Sequence, residues 1–179
     1  MLEKAMTLSS RRKVILFLGG NIGNMNRKEA EGFCKELHRL LNPEDIVLIG
    51  FDLKKNPYTV LNAYSDQSGI TAQFNLNLLS RINRELGGDF TIEKFQHYES
   101  YDPITGACRS FLISLAEQEV RVAGKMITFK ENEVIDMEVS QKFSKPDIEE
   151  LAKKSGFTIT GEISDSKNWF VDSIWMVNK

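Results

Sequence analysis

The chain has 179 residues and a net charge of −2, which suits one domain with its own core or one domain with a modest insertion. Its 23 lysines and arginines are scattered, so neither nucleic acid nor an anionic membrane is indicated as a partner. The two cysteines have no metal-ligand spacing and form no disulfide framework, and no stretch approaches transmembrane length. We therefore predict a cytoplasmic protein without a metal site.

An apolar run near the amino end leads into a glycine-rich loop. Residues 14–18 are five consecutive apolar residues and are predicted to be a strand buried on both faces. Residues 19–24, GGNIGN, then provide glycines that allow a sharp turn and a close approach of a ligand to the backbone. In an open α/β sheet, ligands bind at the carboxyl end of such a strand. This loop is the first candidate site, although its glycine pattern alone is weak.

A helix and a second strand follow the loop. Asn26, with Glu29 three residues later, predicts a capping box at the start of a helix, and the helical spacing of apolar residues continues to Leu41. Residues 46–50 are predicted to be a second buried strand. A strand, a helix and a strand in this order predict two parallel strands with a right-handed crossover.

The pattern changes after residue 54. Helices are predicted over residues 58–65, 71–86 and 92–98, followed by two long antiparallel β segments over residues 108–122 and 125–140. Such a group, placed within an α/β pattern, predicts an inserted subdomain.

The α/β pattern then resumes. Ser144 is the predicted N-cap of a helix that runs to Lys154, with Gly156 just beyond its end. Strands are predicted over residues 157–163 and 169–177, and their connection is too short for a crossover, so they must be antiparallel. We assign residues 12–54 and 142–179 to an α/β domain, residues 55–141 to the inserted subdomain and residues 1–11 to a disordered lead-in.

Six sequence segments carry a resemblance to a known family. They are FLGGNIGN (17–24), IGFDLK (49–54), AYSD (63–66), GITAQFNLNLL (69–79), NRELG (83–87) and IDMEVSQKF (135–143). In this order they resemble the histidine-specific, S-adenosylmethionine-dependent methyltransferases, which make trimethylhistidine (hercynine) on the route to ergothioneine. The resemblance implies the second half of a class I, Rossmann-like methyltransferase sheet, finished by one reversed strand, with an inserted α+β substrate-binding subdomain.

The resemblance also implies substrate-binding residues. Asn24 matches the asparagine that binds the amino and carboxylate end of the substrate, and Tyr64 matches the tyrosine that binds the carboxylate. Glu138 and Ser140 match the pair that recognises the imidazole ring, and Thr71 matches a residue that reaches the other ring nitrogen. From the residues alone, the ordinary interpretations are favoured: a turn asparagine, a half-buried helix aromatic and solvent-facing side chains of an edge strand.

The cofactor implied by the resemblance is S-adenosylmethionine. Gly19 and Gly20 would let backbone groups approach the substrate and the methionine part of the cofactor. His38 and His97 are interpreted as helix-surface residues, and no side chain is an obvious strong base. We therefore assign no catalytic residue.

The function implied is trimethylation of the α-amine of histidine, a small-molecule substrate. Ser110 stands where the family usually has a methionine, which would widen or wet the pocket, and Phe74 would pack beside it. Another amino acid, such as a tryptophan derivative, is therefore an alternative substrate. A non-catalytic binding module of the same fold is a second alternative, and a dinucleotide-binding dehydrogenase is disfavoured because the loop lacks G-x-G-x-x-G.

The resemblance reaches only the second half of a family member. Thirteen residues precede the first strand, whereas the family's first half holds a further glycine-rich cofactor loop and the acidic residue for the cofactor ribose. We therefore expect a C-terminal portion that lacks most of the cofactor site and is inactive alone. An incomplete sheet would expose apolar surface that a homodimer could cover.

Overall fold

A computed structural model of the protein describes residues 11–66 and 68–178. Its secondary structure is mixed, and short 3₁₀ helices at Asn21–Asn24 and Ile92–Lys94 accompany the main elements. The strands and α-helices of the described residues are β1 (Val14–Phe17), α1 (Arg27–Leu40), β2 (Ile46–Asp52), α2 (Pro57–Tyr64), α3 (Ile70–Leu86), β3 (Phe95–Tyr101), β4 (Ala107–Ser114), β5 (Gln118–Val122), β6 (Lys125–Phe129), β7 (Val134–Gln141), α4 (Lys145–Lys154), β8 (Phe157–Ser164) and β9 (Phe170–Val177).

The chain divides into two compact units. Unit 1 comprises Met1–Lys55, Pro103–Ala107 and Val139–Lys179, and unit 2 comprises Asn56–Asp102 and Cys108–Glu138. Strands β4 and β7 each have residues in both units. The predicted lead-in, residues 1–11, lies outside the described residues except for its last residue.

Unit 1 is built on a four-stranded sheet with the order β1-β2-β9-β8. Strands β1 and β2 are parallel, as predicted for a βαβ unit, and the α/β fold class is confirmed. Strand β9 is antiparallel to both β2 and β8, so the reversed strand lies inside the sheet. The prediction that it finishes the sheet is wrong, because the β8–β9 hairpin places β9 beside β2 and leaves β8 at the edge.

Strand β1 is buried on one face only, contrary to the prediction. Ile15 and Phe17 pack on the core of unit 1, where the ring of Phe17 lies 4.8 Å from that of Phe33 on α1. Val14 and Leu16 point the other way and are 59% and 62% exposed. An unbroken apolar run therefore did not mean burial on both sides.

Both helices of unit 1 begin at capping boxes. The side chain of Asn26 accepts from the N–H groups of Lys28 and Glu29, and the Glu29 carboxylate accepts from the N–H of Asn26. Ser144 and Asp147 repeat this arrangement at α4. Each cap satisfies N–H groups that the helix cannot, and a cap of this type stabilises by about 1 kcal/mol. Both predicted helix starts are confirmed.

Unit 2 differs from the sequence prediction in its β structure. Its described strands form a sheet with the order β3-β4-β7 and a β5–β6 hairpin. The helix predicted over residues 92–98 is wrong, because Phe95, His97 and Glu99 alternate inward as the first part of β3. The two long β segments are each divided by a turn, into β4 with β5 and β6 with β7.

Helix α3 confirms the helix predicted over residues 71–86. Asn75 and Leu79 are the buried side chains, whereas Phe74 is 74% exposed and Leu78 is 40% exposed. Gly87 ends the helix in the left-handed conformation, with φ +61°. Phe74 and Leu78 are thus among the apolar side chains of α3 that lie on an open surface of unit 2.

Two features are absent from the described residues, 11–66 and 68–178. No helix in these ranges is long and apolar enough to cross a membrane. In the same ranges, no group of histidine, cysteine and acidic side chains is arranged to hold a metal ion.

Candidate functional site

The loop after β1 is held so that its backbone remains accessible. Gly19 and Gly20 both adopt positive φ, +74° and +72°, which few side chains tolerate. Gly23 N–H donates to Gly20 O at 2.8 Å, and the fully buried Ile22 anchors the turn in the core. A Cβ on Gly19 would meet no atom of the described chain within 4 Å, beyond its own neighbours. A ligand can therefore approach the backbone here, at the carboxyl end of β1.

Asn24 ends this loop with an exposed side chain. No hydrogen bond joins its amide to any residue in the described ranges, whereas Asn21 donates to Leu18 O at 2.9 Å and Asn26 caps α1. An amide offers both donors and an acceptor, which is what an amine next to a carboxylate requires. Of these three asparagines, Asn24 is the one whose amide makes no hydrogen bond within the described ranges.

The loop lies against the end of β7 within unit 1. A Cβ on Gly23 would lie 2.8 Å from the carbonyl oxygen of Gln141 and 3.4 Å from its nitrogen, so the two backbones touch. Ser140 precedes Gln141 and is half-buried. The structure thus brings the residue next to Asn24 against the residue next to Ser140.

A buried lysine adjoins Ser140, and the sequence analysis gave it no role. The Nζ of Lys142 lies 2.7 Å from Oδ2 of Asp52 and 2.8 Å from Oγ of Ser140, and its side chain is 2% exposed. The other Asp52 oxygen receives Lys55 Nζ at 2.6 Å. Asp52 had a sequence signal, since it ends a parallel strand at the ligand-binding edge. Lys142 had no sequence signal, because its burial depends on its contact with Asp52 at the end of β2.

In unit 2, the first turn of α3 is fixed by Asp66. Its carboxylate accepts a hydrogen bond from the hydroxyl of Ser68. It also accepts from the N–H groups of Thr71 and Ile70, and these two hydrogen bonds are each 2.9 Å long. These hydrogen bonds, that of Ser68 first, hold the pKa of Asp66 well below its usual range. The hydroxyl of Thr71 also bonds to this carboxylate. Tyr64 lies half-buried at the end of α2.

An open pocket of about 250 Å³ lies between α3 and β7 within unit 2. The exposed Phe74 and Leu78 form its apolar wall, and Glu138 brings a carboxylate to it. Neither Tyr64 nor Thr71 lines it. An aromatic wall beside a carboxylate suits a small ring that carries an N–H group.

Ser110 lies in a buried polar cluster of unit 2 rather than in that pocket. Its hydroxyl donates to Glu99, and the Cys108 thiol donates to the other oxygen of the same carboxylate at 3.0 Å. His97 Nε2 lies 3.5 Å from Glu99. Ser110 is 4% exposed and its hydroxyl is bound to Glu99, so in unit 2 it does not widen the open pocket.

Neither histidine is a simple helix-surface residue. His97 lies on β3, with a side chain that is only 6% exposed, so this interpretation is wrong. His38 is on α1, but its ring packs edge-on against Phe157 at 5.1 Å. Burial raises the pKa of the Cys34 thiol to about 12, so it is no nucleophile near neutral pH. No catalytic side chain is evident among the described residues.

An accessible loop at the carboxyl edge of an α/β sheet, with a small half-apolar pocket in the second unit, is typical of an enzyme that binds a small molecule. Residues 1–177 match the family described as histidine-specific, S-adenosylmethionine-dependent methyltransferases. The chain therefore belongs to this family, and the predicted resemblance is confirmed.

Curated relatives carry related names. The chain is 37% identical to the histidine N-alpha-methyltransferase of Mycobacterium tuberculosis, over 74% of this chain and 42% of the relative. It is 34% identical to the ergothioneine biosynthesis protein 1 of Neurospora crassa, over 89% of this chain and 18% of the relative. The L-tryptophan methyltransferase of Psilocybe serbica is 27% identical, over 86% of this chain and 44% of the relative. The chain thus spans less than half the length of these relatives.

Among solved structures, an S-adenosylmethionine-dependent methyltransferase from Clostridium acetobutylicum superposes with a TM-score of 0.49 at 8% identity, covering 97% of this chain and 62% of that chain.

Proposed function

We propose that this protein transfers methyl groups from S-adenosylmethionine to the α-amine of histidine and forms hercynine. Membership of a histidine-specific family and the 37% identical histidine N-alpha-methyltransferase support the proposal. The observation that carries it is the exposed amide of Asn24, placed at the carboxyl end of β1 without a hydrogen-bond partner in the described ranges. The amino-acid end of a substrate supplies the partners that this amide lacks.

The other predicted residues take complementary roles. Tyr64 binds the substrate carboxylate, and Glu138 accepts a hydrogen bond from a ring N–H of the substrate. Ser140 recognises the same ring together with Glu138, and Thr71 reaches the other ring nitrogen. Glu138 is exposed in a pocket that Phe74 also lines, which supports its role as the acceptor for a ring N–H.

The cofactor supplies an activated methyl group, so the main task of the protein is to align the substrate nitrogen with the methyl group and the sulfur. Gly19 and Gly20 take a position beside it, and the open space where a Cβ on Gly19 would lie supports this for Gly19. An α-amine is largely protonated near neutral pH and must lose a proton before it can accept a methyl group. Asn24 favours the productive orientation by holding the amino end of the substrate.

The test is a direct assay of the protein made from its complete open reading frame. Incubation with S-adenosylmethionine and histidine is expected to yield mono-, di- and trimethylhistidine by mass spectrometry. A panel of other amino acids serves as the control. Methylation of another amino acid, with none of histidine, would contradict the histidine assignment. Absence of methylation of every amino acid would favour a non-catalytic binding module.

Tryptophan is the second candidate substrate. The apolar wall formed by Phe74 and Leu78 would also accept an indole, and one relative is an L-tryptophan methyltransferase. The ratio of kcat/KM for histidine and tryptophan in the same assay decides between them.

Two further assignments belong to the same proposal. We place the protein in the cytoplasm, because its two cysteines form no disulfide framework and a reducing compartment is then favoured. We also propose that the chain pairs with a second copy through the apolar side chains of β1, of which Val14 and Leu16 are the most exposed. A monomer in light scattering would contradict the pairing.

A further inference from the structure

The ring of Phe170 lies where strand β2 has no side chain. Phe170 begins β9 and pairs with Asp52 at the end of β2, and its ring lies over Gly50, two residues earlier on that strand. A Cβ on Gly50 would lie 2.7 Å from Cζ of Phe170 and 3.2 Å from its Cε1. The φ of Gly50 is not positive, so the backbone itself would accept an alanine. The glycine thus makes room for the ring.

The same ring reaches the glycine loop after β1. A Cβ on Gly20 would lie 3.6 Å from Cε2 of Phe170, at an ordinary van der Waals distance. Gly20 begins the turn that the hydrogen bond from Gly23 N–H to its carbonyl closes at 2.8 Å. The half-buried ring therefore connects a position inside β2 with the loop at the carboxyl end of β1.

The backbone that carries this ring is fixed by the turn before β9. Oδ1 of Asp165 accepts from the N–H of Trp169 at 2.6 Å and from the N–H of Phe170 at 2.9 Å. The pairing with β2 holds Phe170 from the other side. A methyl group added at Gly50 would therefore turn the ring about its side-chain bonds, and the ring would then press on Gly20 or withdraw from it.

We propose that Phe170 is a positioning residue that holds the loop after β1 in the conformation that binds the cofactor. The proposal rests on the function proposed above, in which Gly20 lies beside S-adenosylmethionine. The ring acts through Gly20 and needs no contact with the reacting atoms. A loop that is already ordered pays less conformational entropy when the cofactor binds, so its support contributes to affinity.

The measurement is the Kd of the full-length protein for S-adenosylhomocysteine, the demethylated form of the cofactor, by isothermal titration calorimetry. We expect Gly50→Ala to raise this Kd by about 10-fold, within the range of coupling found between residues in contact. Phe170→Leu, which has no Cε or Cζ atoms, should raise it by about 3-fold to 10-fold. In Gly50→Ala/Phe170→Leu the Kd should match that of Phe170→Leu alone, because the leucine no longer meets the added methyl group.

Gly161→Ala is the matched control. Gly161 lies on β8, and among the described residues beyond its chain neighbours a Cβ there would approach only Cδ1 of Ile174, at 3.3 Å. This variant should keep the Kd of the wild type. Asp172 is the other neighbour of Gly50, since its Oδ1 would lie 3.0 Å from the added Cβ. If the double variant binds more weakly than Phe170→Leu, Asp172 rather than the ring carries the effect, and the proposal is refuted.

The outcomes separate the two proposals. If the wild type methylates histidine, and Gly50→Ala and Phe170→Leu lower the thermal midpoint but keep the wild-type Kd, the ring only stabilises unit 1. The role of Phe170 is then refuted and the function stands. If the wild type neither binds S-adenosylhomocysteine nor methylates an amino acid, the function fails and this proposal fails with it. Should Gly50→Ala not fold, Phe170→Leu and Phe170→Ala are judged by the same Kd, and an unchanged Kd in both refutes the role.

Discussion

The backbone of Gly23 lies directly against the backbone of Gln141, with room for a hydrogen atom but not for a methyl group. A Cβ at residue 23 would lie 2.8 Å from the Gln141 carbonyl oxygen, and neither backbone can yield cheaply. We therefore expect Gly23→Ala to lower the stability of unit 1 by about 1–3 kcal/mol. Displacement of the loop should also raise the KM for histidine through Asn24. Thermal unfolding and steady-state kinetics measure the two effects.

Gly32→Ala is the control for this prediction. Gly32 is an exposed residue of α1, and a Cβ there meets no atom within 4 Å. Alanine is the better helix former, so this variant should gain up to about 1 kcal/mol. Equal effects of the two substitutions would show that the contact with Gln141 is not tight in solution.

The carboxylate of Glu138 should be needed for substrate but not for stability. It is exposed on β7, so its loss leaves no buried group unpaired. We expect Glu138→Gln to raise the KM for histidine by at least about 10-fold, because hydrogen bonds to charged groups contribute about 1.5–3 kcal/mol. Asp136→Asn, two residues earlier on the same strand and also exposed, should leave the KM unchanged. A similar KM change in both variants would indicate a general effect of charge on β7.

Replacing Ser110 by methionine, the residue usual in the family, should destabilise the protein because of the Ser110–Glu99 hydrogen bond. Ser110→Met adds bulk to a buried site and removes a donor from a buried carboxylate, each at a cost of about 1–3 kcal/mol. Ser110→Ala removes the donor only and should cost less. Ser110→Met/Glu99→Ala should recover much of the loss, because removing the Glu99 side chain makes room for the methionine and leaves no buried carboxylate without its donor. Chemical unfolding of the four proteins checks this order, and no recovery in the double variant would contradict it.

Asp147 should make α4 sensitive to acid. Burial tends to raise its pKa, but the hydrogen bonds from Arg27 and from Ser144 outweigh burial and lower it from 3.8 to about 2. The stabilisation is therefore complete above about pH 4 and is lost as the pH falls towards 2. It amounts to about 1–2 kcal/mol when discounted for exposure to solvent. Asp147→Asn should be less stable at pH 7 and nearly as stable as the wild type at pH 2. Parallel stability curves would refute this.

Local signals in the sequence were enough for the helices of unit 1 and for the pairing of its first two strands. The boundaries of α1 and α4 follow from caps that involve residues three apart, such as Asn26 with Glu29. The parallel pairing of β1 with β2 follows from the helix between them. Both are decided within about 40 residues of chain, so little depended on distant contacts.

Distant pairing explains what the sequence could not reveal. His97 belongs to β3 because it pairs with β4, and a short segment with mixed periodicity does not distinguish a strand from a helix. The burial of Lys142 likewise needs Asp52, which is far away in sequence. In the candidate site, the loop glycines could be found from their pattern, but the lysine beside Ser140 could not.

The exposed face of β1 has a practical consequence for handling the protein. Val14 and Leu16 project from a strand whose outer side has no neighbour within the described sheet, and such segments template aggregation. Arg11, Arg12 and Lys13 immediately precede it, in the position of gatekeeper charges that discourage stacking. Because salt screens like-charge repulsion, concentrated solutions should remain clear at low ionic strength and become turbid as salt is added.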